Sequence, residues 1–353
     1  MGTCLYCGRR DRLVAEVLGA CADCIRSRPE ALAHVRERRA QARREFGLPI
    51  APPRTEGGVV CRICANECRM GEGERGFCGL RTARGGRLVH LAGTPQAGLL
   101  QSYHDPLPTN CVADPVCAGH SARGRTNLAV FYGACSFDCL YCQNWHFRQM
   151  APSGRLTSAQ DLADRAGTRA ACVCYFGGDP APQMPHALAT SRILAERGLH
   201  ICWETNGSMN PRLLRQAVQL SLATGGTVKF DLKAWNPALH LALTGADNRR
   251  TLDNFAQAAE RSRSRPEPPL VVASTLLVPG YVDAQEVRAI ARFIAAIDCN
   301  IPYVLLAFAP AFLMHDLPCT SSAHAREALE AAQAEGLTRV RIGNPHLLDL
   351  GWF

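Results

Sequence analysis

Cys135-Ser136-Phe137-Asp138-Cys139-Leu140-Tyr141-Cys142 places three thiols within eight residues, at C-x3-C-x2-C spacing. Each residue of a trans chain reaches at most about 3.3–3.6 Å, so so short a loop can wrap three sulfurs round one small inorganic cube. The loop has no local fourth cysteine, whereas an iron–sulfur cube normally takes four thiolates. The spacing therefore points to a [4Fe-4S] cluster with one iron left open for a substrate. A structural zinc knuckle, or a set of buried free thiols, is the plainer alternative. The motifs further along the chain weigh against it.

Outward from this loop the chain alternates. Apolar, β-rich runs lie at 127–132, 170–176, 199–204, 227–232, 270–278 and 303–308. Helix-like segments lie between and after them, near 158–166, 184–198, 210–222, 248–263, 283–296 and 321–335. Strands alternating with amphipathic helices predict a parallel sheet of βα units. Six units fit an α/β fold of the open, partial (β/α)6 barrel type; a complete eightfold barrel needs more chain. In such folds chemistry gathers at the C-terminal ends of the strands. Four motifs fall there: Gly177-Gly178-Asp179-Pro180, Glu204-Thr205-Asn206-Gly207, Asp231-Leu232-Lys233-Ala234 and Leu276-Leu277-Val278-Pro279-Gly280. Alone, each is weak. Gly-Gly-Asp-Pro is an ordinary turn, and an Asp–Lys pair on one strand face is often a surface ion pair.

Together they resemble a family. The cysteine loop, with Tyr141 before its last thiol, resembles the signature of the radical S-adenosylmethionine (radical SAM) enzymes. Cys142-Gln143-Asn144-Trp145 and Ile342-Gly343-Asn344-Pro345-His346-Leu347 resemble the radical SAM proteins of the AmmeMemoRadiSam system. So does the block Cys61-x2-Cys64-x3-Cys68-x9-Cys78, which is also similar to pyruvate-formate-lyase-activating-like (glycyl-radical-enzyme activase-like) proteins. The resemblance runs from about residue 61 to the end; the first 50 residues lie outside it.

The resemblance implies that Cys135, Cys139 and Cys142 are the catalytic cluster ligands. It implies that SAM chelates the open iron, and that one electron releases a 5′-deoxyadenosyl radical, which abstracts hydrogen. Tyr141 belongs to the cofactor site. Gly177 and Gly178 let the backbone approach a ligand, and Asp179 stands where the family carries Glu to accept from the SAM ammonium. Glu204, Thr205 and Asn206 would bond the ribose hydroxyls and the SAM carboxylate. Lys233 would pair with that carboxylate, while Asp231 orients it or holds a cation. Val278 and Gly280 would contact adenine. The chain departs from the pattern at Ser274, where several activases have arginine, and at Ala309, where close relatives often have histidine.

The remaining sequence supports an intracellular metalloprotein. The chain has 353 residues, 47% of them hydrophobic, enough for a large core. No apolar run approaches the span of about 20 residues that a membrane helix needs, and the start lacks a signal core. A cytoplasmic location is expected. In a reducing compartment, 18 cysteines read as metal ligands rather than disulfides.

Residues 1–27 carry Cys4, Cys7, Cys21 and Cys24 as paired C-x2-C knuckles, which suit a closed tetrahedral zinc site. A second cluster is the alternative there. Residues 28–53 form a basic helix and linker, with Arg36, Arg38, Arg39, Arg43 and Arg44. The simplest reading is a solvated helix; the sharper one is an arm for an acidic partner or nucleic acid. Residues 54–122 form a cysteine-rich N-terminal region in which Cys61, Cys64, Cys68 and Cys78 close either a zinc site or an auxiliary iron–sulfur cluster. Cys111 and Cys117 either complete a further site or are free thiols. Residues 123–353 form the barrel, where Cys172, Cys174 and Cys202 lie in apolar runs and read as small core residues.

The function expected is reductive cleavage of SAM, with hydrogen abstraction from a protein or peptide substrate and a flavodoxin or ferredoxin as reductant. A small-molecule substrate is the alternative. From another class, the zinc knuckles and basic helix would bind nucleic acid beside an idle barrel. The modest net charge of +8 and the retention of every SAM motif count against that reading.

Overall fold

The computed structural model describes residues 1–109 and 111–349. Residues 350–353, the end of the expected barrel segment, lie outside the described residues.

One eight-stranded sheet forms the centre. Its strands are β1 (Leu100–Pro106), β2 (Thr126–Tyr132), β3 (Ala170–Gly177), β4 (His200–Thr205), β5 (Val228–Asp231), β6 (Val271–Leu277), β7 (Tyr303–Ala307) and β8 (Val340–Ile342). They neighbour one another in chain order. β1 runs antiparallel to β2, and every later neighbour is parallel. The six expected strands are thus β2 to β7. The strand runs read from the sequence do not include the edge strand β1 or the short strand β8.

The helices among the described residues are α1 (Ala22–Ser27), α2 (Pro29–Glu45), α3 (Ala159–Asp164), α4 (Met184–Glu196), α5 (Pro211–Thr224), α6 (Pro237–Thr244), α7 (Arg249–Ala259), α8 (Ala284–Ile297) and α9 (Ser322–Ala334). Local signals fix their ends. Asn210 caps α5 by accepting from the Arg212 N–H, Pro211 occupies its first position, and Gly225 ends it at φ 73°. Asn236, Pro237 and Gly245 repeat that grammar for α6, which the strand–helix pattern alone did not show. No helix among the described residues is long and apolar enough to cross a membrane.

Strand alternation divides the barrel wall into two layers. Val173, Tyr175, Ile201, Trp203, Val228 and Phe230 are buried in the main core with Leu188, Leu194, Leu214 and Phe255 of the helices. The opposite face carries Cys172, Cys174, Cys202, Glu204, Lys229 and Asp231.

The N-terminal extension docks on the barrel. The Tyr281 hydroxyl donates to the Ala20 carbonyl at 3.0 Å and accepts from the Ala15 N–H at 2.9 Å. Arg26 reaches the buried Glu286 at 3.1 Å. On α2, Arg36, Arg38 and Arg44 face solvent as expected, but Arg39 and Arg43 are buried. The helix is therefore not merely solvated: its inner face is part of the protein interior.

Candidate active site

The cysteine loop follows β2 and is held from several sides. The Asp138 N–H donates to the Thr244 carbonyl at 2.8 Å, and the Leu140 N–H to Leu243 at 3.1 Å, so the end of α6 fixes the loop backbone. The Asn206 amide donates to Ser136 Oγ at 3.0 Å, and Ser136 Oγ lies 2.6 Å from Ser208 Oγ. Cys135, Cys139 and Cys142 share one cavity, of about 190 Å³, with Tyr141, Gly177, Gly178, Asp179, Glu204, Asn206, Asp231 and Lys233. The motifs at the ends of β3, β4 and β5 thus converge on the thiol loop.

Their roles differ in detail from the sequence expectation. A Cβ on Gly178 would stand 2.3 Å from the Ala134 carbonyl oxygen, and one on Gly177 would stand 2.4 Å from the Phe131 ring. The two glycines let β3 approach the thiol loop as much as they open space for a ligand. Asp179 is buried and already engaged. It accepts from the N–H groups of Ala181 and Asn206, both at 2.7 Å, and from the Thr205 hydroxyl at 3.1 Å. Burial, only partly offset by these bonds, pushes its carboxyl up to about 7. Thr205 does not line the cavity; it braces Asp179.

At the end of β5, Lys233 Nζ sits 2.8 Å from Asp231, and Ser274 donates to the other Asp231 oxygen at 2.7 Å. Ser274 therefore orients Asp231 where several activases carry arginine. Burial works against the Lys233 charge, but Asp231, Tyr141 and Cys139 outweigh it and hold the ammonium well above its usual range. Val278 and Gly280 are not brought to this cavity. Val278 is fully buried, and a Cβ on Gly280 would stand 2.4 Å from the Leu13 carbonyl oxygen of the N-terminal extension. Leu276, on the preceding strand, lines the cavity instead, with Gln143, Asn144, Phe147 and Leu306.

The residues fit an anionic cluster. Arg39, Arg43 and Arg148 converge on one carboxylate, Asp138, at 3.4, 3.3 and 2.7 Å. Arg39 also donates to the Asp138 carbonyl, and to the Ala242 carbonyl at 2.7 Å. Three buried cations against one anion leave a surplus of positive charge. Arg148 Nη1 is buried with no partner, and its guanidinium is within electrostatic reach of Cys142 and Cys135. A negatively charged cluster held by the three thiols would supply the missing counter-charge. Nothing local in the sequence marks Arg39 or Arg43 for this position, 99 and 95 residues ahead of Asp138.

Two other cysteine sets are assembled. The sulfurs of Cys4, Cys7, Cys21 and Cys24 all lie within 4.8 Å of one another, the only such ligand group among the described residues. Cys7 and Cys21 are 3.8 Å apart, and tetrahedral zinc with bonds of about 2.3 Å separates its sulfurs by roughly that distance. Cys61, Cys64, Cys68 and Cys78 are close enough to feel one another's charge but are spread more widely. Beside them Arg81 is buried, its Nη1 3.8 Å from Cys78 Sγ and its Nε and Nη2 without partners. This set abuts the thiol loop: the Asn66 amide donates to the Ser136 carbonyl at 2.7 Å.

Residues 129–294 match the family model of the Radical SAM superfamily. The chain carries a radical SAM domain. Over 295 residues, 81% of each chain, it is 25% identical to an uncharacterized protein of Methanocaldococcus jannaschii. It is 34% identical over 134 residues to the isethionate sulfite-lyase activating enzyme of Desulfovibrio desulfuricans, covering 37% of this chain and 40% of that one. It is 27% identical over 164 residues to the pyruvate formate-lyase 1-activating enzyme of Escherichia coli K12, covering 44% of this chain and 62% of that one. The matches to these two activating enzymes thus span less than two thirds of their length.

Proposed function

We propose that this radical SAM protein cleaves SAM reductively and abstracts hydrogen from a protein or peptide substrate. The observation that carries the reading is the shared cavity. Three thiols from one loop meet Asp179, Glu204, Asp231 and Lys233 from three successive strand ends. Cys135, Cys139 and Cys142 would hold a [4Fe-4S] cluster, which would supply the electron for the reductive cleavage of SAM. The chain's own groups do the positioning. Lys233, poised by Asp231 and Ser274, binds the SAM carboxylate. Glu204 and Asn206 face the ribose. Asp179 and Thr205 lock the ends of β3 and β4 to the thiol loop, so the site is preorganised.

Two observations support a macromolecular substrate. The named relatives are activating enzymes of other enzymes. The segment 111–122 also packs against the inner barrel residues Val272, Val304 and Leu306, the last of which lines the SAM cavity. With that segment packed on the inner wall, a substrate would approach from the mouth, as a peptide segment can. A flavodoxin or ferredoxin would deliver the electron. Zinc suits Cys4, Cys7, Cys21 and Cys24 by its spacing, and an auxiliary cluster suits the wider set at Cys61, Cys64, Cys68 and Cys78. The burial of Arg39 and Arg43 removes two of the five arginines that a nucleic-acid arm would use.

Anaerobic reconstitution with SAM and dithionite tests the chemistry. The expected products are 5′-deoxyadenosine and methionine. Their absence from the wild type, or undiminished formation by Cys139→Ala, overturns it. A glycyl-radical EPR signal in a co-incubated partner enzyme separates a protein substrate from a small one.

A further inference from the structure

Beneath the SAM cavity the inner barrel layer holds a group that the reading above does not use. Lys229 on β5 is 1% exposed at its side chain, one layer below Asp231. Its ammonium has three donors and three acceptors. Cys111 Sγ is at 2.9 Å, Cys174 Sγ at 3.0 Å and Glu204 Oε2 at 3.5 Å. Burial opposes the charge, but Cys111, Cys174 and Glu204 outweigh it and keep the amine protonated. Cys202 adds to the same field, and Cys117 and Cys172 border it.

Simple packing does not account for this arrangement. Thiols are good small core residues, but a lysine is almost never fully buried without a partner. Here the one carboxylate is the most distant of the three acceptors, so two sulfurs share the work of stabilising the cation. In return the cation works against the burial that pushes the Cys174 thiol up. The ammonium stands against both Cys111 and Cys174, the place a shared metal would take. The nitrogen and both sulfurs are in contact, nearer than the usual limit of about 3.2 Å for an N–H···O bond even though sulfur is the larger atom. A single oxygen bridging N and S holds those atoms close to the separation seen here. A direct N–S bond requires a substantial further approach.

We propose that Lys229 with Cys111 or Cys174 is an oxidative crosslinking site, in which dioxygen joins the amine and the thiol through one oxygen. The step balances as R–NH2 + HS–R′ + O2 → R–NH–O–S–R′ + H2O. One oxygen atom enters the bridge, and the other leaves as water with the thiol hydrogen and one amine hydrogen. The four electrons that dioxygen takes up come in pairs from sulfur and nitrogen. A link through Cys111 ties the 111–122 segment to the barrel wall. It also removes the cation opposite Glu204, a residue of the SAM cavity, so the site couples oxygen exposure to the cofactor pocket.

Peptide mass spectrometry of the full-length protein, purified in air and under anaerobic conditions, tests this without reference to turnover. In the aerated sample the expected species is a peptide pair containing Lys229 and Cys111 or Cys174. Its mass is the sum of the two plus one oxygen and less two hydrogens, it resists tryptic cleavage after Lys229, and it is reversed by dithiothreitol. In Lys229→Arg, both cysteines remain fully alkylatable after the same exposure. Complete alkylation of Cys111 and Cys174 in aerated wild type, with full cleavage after Lys229, overturns the proposal. So does a Cys111–Cys174 disulfide beside an unmodified Lys229.

Discussion

The Asp179 carboxylate accepts the Asn206 N–H at 2.7 Å, and through it the end of β3 is bonded to the end of β4. Both strands line the cavity at the thiol loop, and this bond helps to set their relative position there. It also has a pH signature. Burial raises the folded-state carboxyl to about 7 from an ordinary 3.8. A raised folded value means that the stability this group contributes is fully present below its unfolded value and is lost as pH rises through about 7. Asp179→Asn cannot ionise, but its amide nitrogen replaces an acceptor of the Ala181 or Asn206 N–H, at a cost of about 1–3 kcal/mol for the donor left unmade. Urea unfolding of the metal-free, thiol-reduced proteins is expected to show the largest penalty for Asp179→Asn near pH 5, shrinking towards pH 8. A penalty that grows with pH would contradict the assignment.

Arg39 and Asp138 make a second long-range tie, between α2 and the cluster loop. Arg39→Gln removes a charge-assisted partner from a buried carboxylate and from the Ala242 carbonyl. The expected loss is about 2–3 kcal/mol. Arg36→Gln, on the exposed face of the same helix, is expected to stay within about 0.5 kcal/mol of wild type. Thermal unfolding, together with iron retained per chain after reconstitution, separates the two variants. Equal behaviour would mean that α2 does not brace the loop.

The barrel was legible because its strands are continuous apolar runs and its helices carry local caps, and both signals are short-range. Asn210, Pro211 and Gly225 announce α5 without any knowledge of the fold. The thiol loop and the motifs at Asp179, Glu204 and Asp231 were legible for the same reason: each is contiguous and follows a strand. What stayed hidden depends on distant pairing. Arg39 looked like one of five solvated arginines until α2 was seen against Asp138. Cys111, Cys174 and Lys229 lie on separate segments, and only the closure of the barrel brings them together. Val278 and Gly280 show the reverse case: their motif is contiguous, yet Gly280 packs against Leu13 of the N-terminal extension and neither residue lines the cavity.

Removal of metal from Cys4, Cys7, Cys21 and Cys24 is expected to unfold the extension. So short a segment has little core of its own, and metal binding supplies its folding free energy. Val14, Leu18 and Ile25 pack into the main core with the four-thiol site beside them. In Cys21→Ser, zinc is expected to fall by one per chain, and limited trypsin digestion is expected to cut first within residues 26–44, where α2 is released. Persistence of both zinc and protease resistance would assign this site another role.

The set at Cys61, Cys64, Cys68 and Cys78 admits a counting experiment. Its sulfurs are not gathered as closely as those of the zinc-like set, and the partly unpartnered Arg81 beside them calls for an anion of delocalised charge. Two cubes of four irons each predict about eight irons and eight acid-labile sulfides per reconstituted chain. Cys61→Ala is expected to halve both counts and leave the 5′-deoxyadenosine-forming cluster at Cys135, Cys139 and Cys142 intact. Four irons in wild type with an undiminished count in Cys61→Ala, and a second zinc per chain, would make this set a structural zinc site. Arg81→Gln is the companion variant. An anionic cluster beside the guanidinium is easier to reduce than one without it, so the substitution is expected to shift the auxiliary potential downward and leave the other cluster's EPR signal unchanged.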